Sequence, residues 1–155
     1  MKLRCLENMP VMQADMAEEI GTVRKGVIGD DFRLAYLVIE TRNGGAGIIG
    51  AGDVKLGPTA VLVLDPGCIK SYAHGEESSI YDRKCGDTLY NSTGEELGLL
   101  SDFVIDLENK SITGVEVSAG VFRDVLEGRR ELPLQAIRWV NQENAIISQE
   151  GSELK

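Results

Sequence analysis

Apolar and polar residues alternate along much of this chain, which is the pattern of half-buried β-strands. The clearest stretches in the first half are residues 20–28 and 34–41, which are rich in β-branched residues. The second half repeats the arrangement at residues 97–107 and 111–117. A short cluster of turn-forming residues separates the two members of each pair. The pattern therefore predicts one β-hairpin in each half of the chain.

The two halves also share this pattern in register, which indicates an internal duplication. The segment Glu18-Glu19-Ile20-Gly21 recurs 77 residues later as Glu95-Glu96-Leu97-Gly98. Beyond this segment, apolar residues of the two copies occupy corresponding positions. The second copy has gained one residue by the time its second strand begins. The corresponding positions are Val23 with Leu100, Val27 with Val104, Ile28 with Ile105, Leu37 with Val115, Ile39 with Val117, and Val61-Leu62-Val63 with Ala145-Ile146-Ile147.

Shorter strand candidates complete each copy, and they define the expected fold class. They are residues 10–12, 53–56 and 59–64 in the first copy and residues 88–90, 136–140 and 145–148 in the second. Five or six short strands in about 70 residues favour a closed barrel, because closure removes exposed sheet edges. The expected fold is all-β, with two tandem small β-barrels and at most one short helix in each.

Helix signals are weak, and they help to set the expected domain boundaries. The best candidate is residues 121–127, which Gly128 ends. The first copy has the glycine-rich residues 44–47 in the corresponding place, which predicts a loop. We expect residues 1–67 to form a divergent first repeat and residues 87–150 the second. Between them, the polar residues 68–86 are expected to be a linker, and residues 151–155 a tail.

Charge and composition narrow the classes of function. The 155 residues carry 16 basic and 25 acidic side chains, a formal net charge of −9. Residues 1–75 account for −1 of this charge and residues 76–155 for −8. Since nucleic-acid binding depends on dense positive charge, general nucleic-acid binding is not expected. No apolar segment has the length of a membrane span, and three cysteines suggest a reducing compartment, so we expect a cytoplasmic protein.

Several motifs of the second copy resemble the PRC-barrel family. They are Glu96-Leu97-Gly98, Val104-Ile105-Asp106, Ile112-x-Gly114-Val115-x-Val117, Gly128-Arg129 and Leu132-Pro133-Leu134 with Ile137. That family includes the cytoplasmic domain of the photosynthetic reaction-centre H subunit and the C-terminal domain of ribosome maturation factors. The resemblance covers residues 87–148 well and residues 10–65 less well, because residues 48–52 replace the Leu-Pro-Leu step. It implies PRC-type barrels that act as a non-enzymatic binding or adaptor module.

A glycine motif supports an alternative function. Residues 45–50 read Gly-Ala-Gly-Ile-Ile-Gly, the G-x-G-x-x-G spacing of dinucleotide-binding loops, and Asp65 follows at nearly the distance of a ribose-binding acid. A nucleotide-binding enzyme or regulatory subunit is therefore one alternative. Such a site needs a helix after the last glycine, whereas Gly52, Gly57 and Pro58 disfavour a helix there. A glycine-rich connection is the preferred interpretation, and no cofactor is expected.

Catalytic and metal-binding residues are sparse. His74 is the single histidine, and it lies in the polar segment that we expect to be exposed. Cys68, His74 and Cys85 are close in sequence, but their spacing matches no common zinc finger, so zinc binding is left open. The acidic pairs Glu18-Glu19, Glu95-Glu96 and Asp30-Asp31 flank turns and are interpreted as solvated edges.

The residues most suited to a protein partner are Arg138, Trp139 and Phe122. Trp and Arg are enriched in interface hot spots, so Arg138 and Trp139 form a candidate anchor, although a core position for Trp139 fits equally well. Phe122 belongs to a short apolar face that is expected to cover the second barrel. The expected partner is a protein, with a homodimer possible. A ribosome-maturation or RNA-processing accessory role is a further alternative, in which the charge of −9 favours contact with basic protein.

Overall fold

The computed structural model describes residues 1–72, 79–120, 128–139 and 144–147. Strands predominate among these residues, which confirms the all-β class. The chain divides into two compact units. Unit 1 comprises Met1–Ile80 and Ile105–Ser111, and unit 2 comprises Tyr81–Val104 and Ile112–Lys155. In the part of the chain that the structure describes, no helix is long and apolar enough to cross a bilayer.

The first sheet lies in unit 1. Its strands are β1 (Pro10–Gln13), β2 (Glu18–Ile28), β3 (Leu34–Thr41), β4 (Ala46–Gly50), β5 (Val54–Leu56), β6 (Val61–Val63) and β7 (Lys70–Ser71). Among the described residues the strand order is β5-β6-β1-β2-β3-β4-β7. Only the pair β1–β6 is parallel among these strands. Short 3₁₀ helices occupy Leu3–Leu6, Ala51–Asp53 and Pro66–Cys68.

The second sheet follows a short helix, α1 (Ile80–Lys84). Its strands are β8 (Thr88–Tyr90), β9 (Glu96–Asp106), β10 (Ser111–Ser118), β11 (Arg130–Pro133), β12 (Ile137–Trp139) and β13 (Asn144–Ile147), with a 3₁₀ helix at Leu134–Ala136. The strand order is β11-β10-β9-β8-β13-β12 within the described residues, and β8–β13 is a parallel pair. The turn between β9 and β10 belongs to unit 1, where the Leu34 N–H donates to the Lys110 carbonyl at 2.8 Å.

The predicted repeat is present in the topology. The order β5-β6-β1-β2-β3-β4 of the first sheet matches β12-β13-β8-β9-β10-β11 of the second, strand for strand. In the opening pairs, Val11 lies opposite Gly21 and Leu89 lies opposite Gly98, and the register shifts directly after both. The closing pairs agree as well, since β5 with β6 and β12 with β13 are paired at the positions that the repeat aligned.

The glycines shared by the two copies have a steric explanation. A Cβ atom on Gly21 would overlap the carbonyl oxygen of Glu40, and one on Gly98 would overlap that of Ser118. Each glycine therefore allows two neighbouring backbones to approach closely at the same point of the repeat.

The repeat extends to a helical turn before each opening strand. In unit 1 the Asn8 N–H donates to the Val23 carbonyl at 2.7 Å, and the Val23 N–H donates to Met9 at 2.9 Å. In unit 2 the same two bonds join Gly86, Leu100 and Asp87, each at 2.8 Å. The 3₁₀ helix Leu3–Leu6 therefore corresponds to α1.

Some local elements differ from the sequence expectations. Residues 68–86, expected to be a linker, contain β7 and α1. The expected loop at residues 44–47 gives way to strand β4 from Ala46, because its backbone pairs with β3. The helix candidate at residues 121–127 lies outside the described residues. Closure of the two sheets as tandem barrels and the bounds of the four predicted segments stay predictions.

Candidate functional site

Two of the three predicted partner-binding residues, Arg138 and Trp139, are consecutive residues of strand β12. This strand is the last on one side of the second sheet, among the described residues. Successive residues of a strand point to opposite faces, so Ile137 and Trp139 share one face and Arg138 lies on the other. Ile137 is buried, Trp139 is partly exposed and Arg138 is exposed. Phe122, the third predicted residue, lies outside the described residues. The candidate site is therefore the sheet edge at β12, with Arg138 on one face and Trp139 on the other, and we call this edge the β12 surface.

A lysine from α1 orders the aromatic ring of this surface. Lys84 Nζ lies 5.3 Å from the centroid of the Trp139 ring, within the range of a cation–π contact. The same Nζ lies 3.8 Å from Asp87 Oδ2, which keeps the ammonium group close to a carboxylate. Since two separate side chains restrain Lys84, the Trp139 ring has a defined cationic neighbour on the helix.

A cluster of polar groups around the buried Asp102 anchors α1 to strand β9. The Tyr81 ring packs edge-on against Phe103, with ring centroids 5.2 Å apart and an interplanar angle of 76°. The Tyr81 hydroxyl hydrogen-bonds Asp102 and Cys85. Asp102 is fully buried, and one of its oxygens accepts from the Phe103 N–H at 2.8 Å. These contacts fix the helix that carries Lys84.

The environment of this cluster keeps both of its weak acids protonated. Burial, with a smaller contribution from the Asp102 charge, raises the pKa of Cys85 to about 12, although the hydrogen bond from Tyr81 acts in the opposite direction. Burial, together with the charges of Cys85 and Asp102, raises the pKa of Tyr81 above its ordinary value. At neutral pH the pair therefore donates hydrogen bonds and supplies no nucleophile.

Glu116 on β10 is a second buried carboxylate, which the sequence patterns did not reveal. It is 3% exposed. It accepts hydrogen bonds from Ser101 Oγ at 2.8 Å and from Arg129 Nη1 at 2.9 Å. The acidic pairs that the sequence predicts to be solvated edges are indeed exposed. Sequence alone could not distinguish Glu116 from them, because its partner Arg129 lies 13 residues away.

The glycine motif at residues 45–50 does not form a nucleotide loop. Residues 46–50 are strand β4, and the 3₁₀ helix Ala51–Asp53 and strand β5 follow it. Residues 46–64 are all described and contain no α-helix. The helix that the nucleotide-binding alternative requires is therefore missing from its place. A Cβ on Gly47 would approach Ile69 Cγ2 to 2.7 Å, so this glycine permits close packing inside unit 1.

The residues that left zinc binding open are distributed over the chain. Cys68 lies in unit 1 and Cys85 in unit 2, and His74 lies outside the described residues. Within the described part of the chain, no group of three His, Cys, Asp or Glu side chains has the arrangement of a metal site.

The comparison with protein families agrees with the geometry. Among the described residues the second sheet has six strands, and its first and last strands along the chain, β8 and β13, pair in parallel. Residues 79–153 match the family description of the PRC-barrel domain, and this half of the chain is a PRC-barrel domain. The match begins before α1 and includes β12. A comparison with curated proteins gave no match.

Proposed function

We propose that this chain is a non-enzymatic adaptor that binds a protein partner through the β12 surface of its PRC-barrel domain. One observation carries the proposal: Trp139, the single tryptophan, is partly exposed and Arg138 is exposed on the two faces of β12, the last strand of its sheet among the described residues. Trp and Arg are the residues that most often dominate the energy of protein interfaces. The contact with Lys84 holds the ring in a defined place before a partner binds.

Charge indicates the chemistry of the partner. The net charge of the chain is −9, and −8 of it lies in residues 76–155, which include the PRC-barrel domain. A basic protein surface complements this charge, whereas a phosphate backbone would be repelled. The thiols of Cys5, Cys68 and Cys85 are all free, which suits a reducing compartment, and we place the activity in the cytoplasm.

The polar groups of the PRC-barrel domain support a binding role instead of catalysis. Tyr81, Cys85 and Asp102 satisfy one another beneath α1, and Glu116 is satisfied by Ser101 and Arg129. Each group is thus used in packing. None of these contacts prepares a nucleophile beside a base.

An affinity capture from nuclease-treated lysate tests the proposal. The baits are the wild-type chain, Arg138→Ala, and Lys70→Ala as a control with the same charge change at an exposed strand position of unit 1. A protein partner that uses the β12 surface should be retained by wild type and by Lys70→Ala. Its recovery should fall at least about tenfold with Arg138→Ala, since truncation of a hot-spot residue weakens binding by about 2 kcal/mol or more.

Tryptophan fluorescence gives the second readout, because Trp139 is the only tryptophan in the chain. Binding of the captured protein should shift its emission to shorter wavelength as the ring loses contact with water. Equal recovery on Arg138→Ala, or binding without any change in emission, would contradict the proposal. Sedimentation of the chain alone checks whether the captured partner is a second copy.

A further inference from the structure

Unit 1 contains a groove beside its edge strand β5, at a distance in sequence from the β12 surface. It has a volume of about 280 Å³, and its apolar wall consists of Ala14, Val54, Leu62 and Leu64. Val54 and Leu62 are held in place by antiparallel pairing of β5 with β6. We call this feature the Leu64 groove.

Leu64 is the most exposed large apolar residue among those described, at 72%. An exposed leucine next to a concave apolar wall is typical of an interaction site. The volume is at the lower limit of small-ligand pockets, which span about 300–1,000 Å³. The groove therefore has room for one large side chain, and a protein surface lying over the rim would also cover Leu64.

Charge defines the rest of the occupant. Asp53 and Asp65 lie at the groove, and both lie close enough to Cys68 to raise its pKa, after the larger effect of burial. Asp65 Oδ1 accepts from the Gly67 N–H at 2.9 Å. Neither carboxylate forms an ion pair within the described residues. Lys55 adds one positive charge at the groove, which leaves a net charge of −1.

We propose that the Leu64 groove binds a protein segment in which a large apolar side chain is followed by Arg or Lys. The apolar side chain fills the space between Val54, Leu62 and Leu64, and the cation approaches Asp53 and Asp65. This inference depends on unit 1 alone. Its failure would leave the β12 surface unaffected, and an adaptor with both sites could hold two partners.

Methyl NMR of the full chain tests the groove directly. The probes are N-acetyl-Leu-Arg-amide, N-acetyl-Leu-Glu-amide and pentylammonium. The Leu-Arg peptide should shift the methyl signals of Val54, Leu62 and Leu64. The Leu-Glu peptide should bind more weakly, by up to about fivefold, since an exposed charge pair contributes up to about 1 kcal/mol.

Matched variants separate the apolar and charged parts of the site. Leu64→Ser should weaken Leu-Arg binding about tenfold, because part of a leucine contact is lost. Leu99→Ser removes another exposed leucine, outside the groove, and should have no effect. The double change Asp53→Asn and Asp65→Asn should remove the preference for Leu-Arg over Leu-Glu, whereas Asp15→Asn should preserve it. Asn at position 65 retains the oxygen that accepts from Gly67.

Four results would overturn the proposal. The first is the absence of groove shifts at the highest soluble concentration of the Leu-Arg peptide. The second is equal affinity for the Leu-Glu peptide. The third is tighter binding of pentylammonium than of the peptide, which would assign the groove to a small amphiphilic cation. The fourth is self-association that Leu64→Ser abolishes and Leu99→Ser does not, which would assign it to a second copy of the chain.

Discussion

The two sheets share one strand order but differ in the residues at equivalent interior positions. Val38 of the first sheet corresponds to Glu116 of the second, and both are buried. Only the second copy supplies polar partners, since Arg129 and Ser101 hydrogen-bond Glu116. The comparison shows that the topology tolerates an ionised interior residue where a partner lies within reach, because an isolated buried charge is far more costly than a paired one.

The helical turns before the two sheets differ in the same way. In unit 1, Leu3 packs over Gly26, with its Cδ1 atom 3.7 Å from the place a Cβ would occupy. In unit 2, Tyr81 packs on Phe103 at the position equivalent to Gly26. The pair of Leu3 and Gly26 thus fills the space in unit 1 that the pair of Tyr81 and Phe103 fills in unit 2. The aromatic version also brings a hydroxyl group into the interior.

Exchange of the residues at the Val38 and Glu116 positions should give the largest effect. Val38→Glu buries a carboxylate without its own arginine, and we expect a loss of at least about 4 kcal/mol or complete unfolding. Glu116→Val should change stability by less than about 2 kcal/mol, because Arg129 is 43% exposed and can be hydrated. Urea unfolding measures both. Equal losses in the two variants would show that the copies do not differ in this respect.

The aromatic contact should give the next largest effect. Phe103 is fully buried, and we expect Phe103→Ala to lower the free energy of unfolding by about 3–5 kcal/mol. Gly26→Ala is the matched change in unit 1. Its Cβ would lie 3.4 Å from the nearest atom, so we expect a change of less than about 1 kcal/mol. A large loss in Gly26→Ala would contradict the proposed equivalence of the two spaces.

The shared glycines should give a smaller, paired effect. Gly21→Ala and Gly98→Ala each force a methyl group against a carbonyl oxygen, and we expect each to destabilise by about 1–3 kcal/mol. Gly98→Ala should be the more damaging, because Gly98 has a φ of 145°, which side-chain-bearing residues rarely adopt. Thermal unfolding gives the comparison. Gly52→Ala, where the new Cβ has nothing within 4 Å, is the control.

The buried thiol should give the smallest effect, visible only in alkali. The Cys85 thiol titrates near the ordinary cysteine pKa of 9.0 when the chain is unfolded and at about 12 when it is folded. Its stabilising contribution is therefore complete below pH 9 and is lost as the pH rises through about 12. Urea unfolding at pH 8 and pH 10 should show a decrease in stability that is smaller in Cys85→Ala. The exposed Cys5 provides the control, since Cys5→Ala should preserve the wild-type decrease.

Strand alternation predicted both long hairpins and the repeat, and the motifs of the second half carried the resemblance to the PRC-barrel family. These features can be recognised from residue types and their spacing, so they are visible without coordinates. Helix α1 was missed because its residues share no identity with Leu3–Leu6, although the residues that follow the two segments make the same backbone bonds to β2 or β9. The glycine motif at residues 45–50 is a case in which the local pattern misleads. Its residue types suggest a phosphate-binding loop, but backbone pairing with β3 makes residues 46–50 a strand.

The candidate sites also combine features that the sequence predicts with features that only the fold reveals. Arg138 and Trp139 were identifiable from residue type, and their strand was predicted within two residues. The contact of Lys84 with Trp139 was not predictable, because the two residues are 55 positions apart. The Leu64 groove also needs the fold, since Ala14 and Val54 meet only through the sheet.

By itself, the order of apolar and polar residues determined that this chain folds as two similar β-sheets, and the motifs of its second half carried the resemblance to the PRC-barrel family. Strand alternation and turn chemistry are short-range properties, so they can be derived from neighbouring residues. Only the tertiary structure decided which carboxylates are buried with partners, which ring receives a lysine and where a groove opens. Those outcomes depend on contacts between residues far apart in the chain, and no local pattern specifies such contacts.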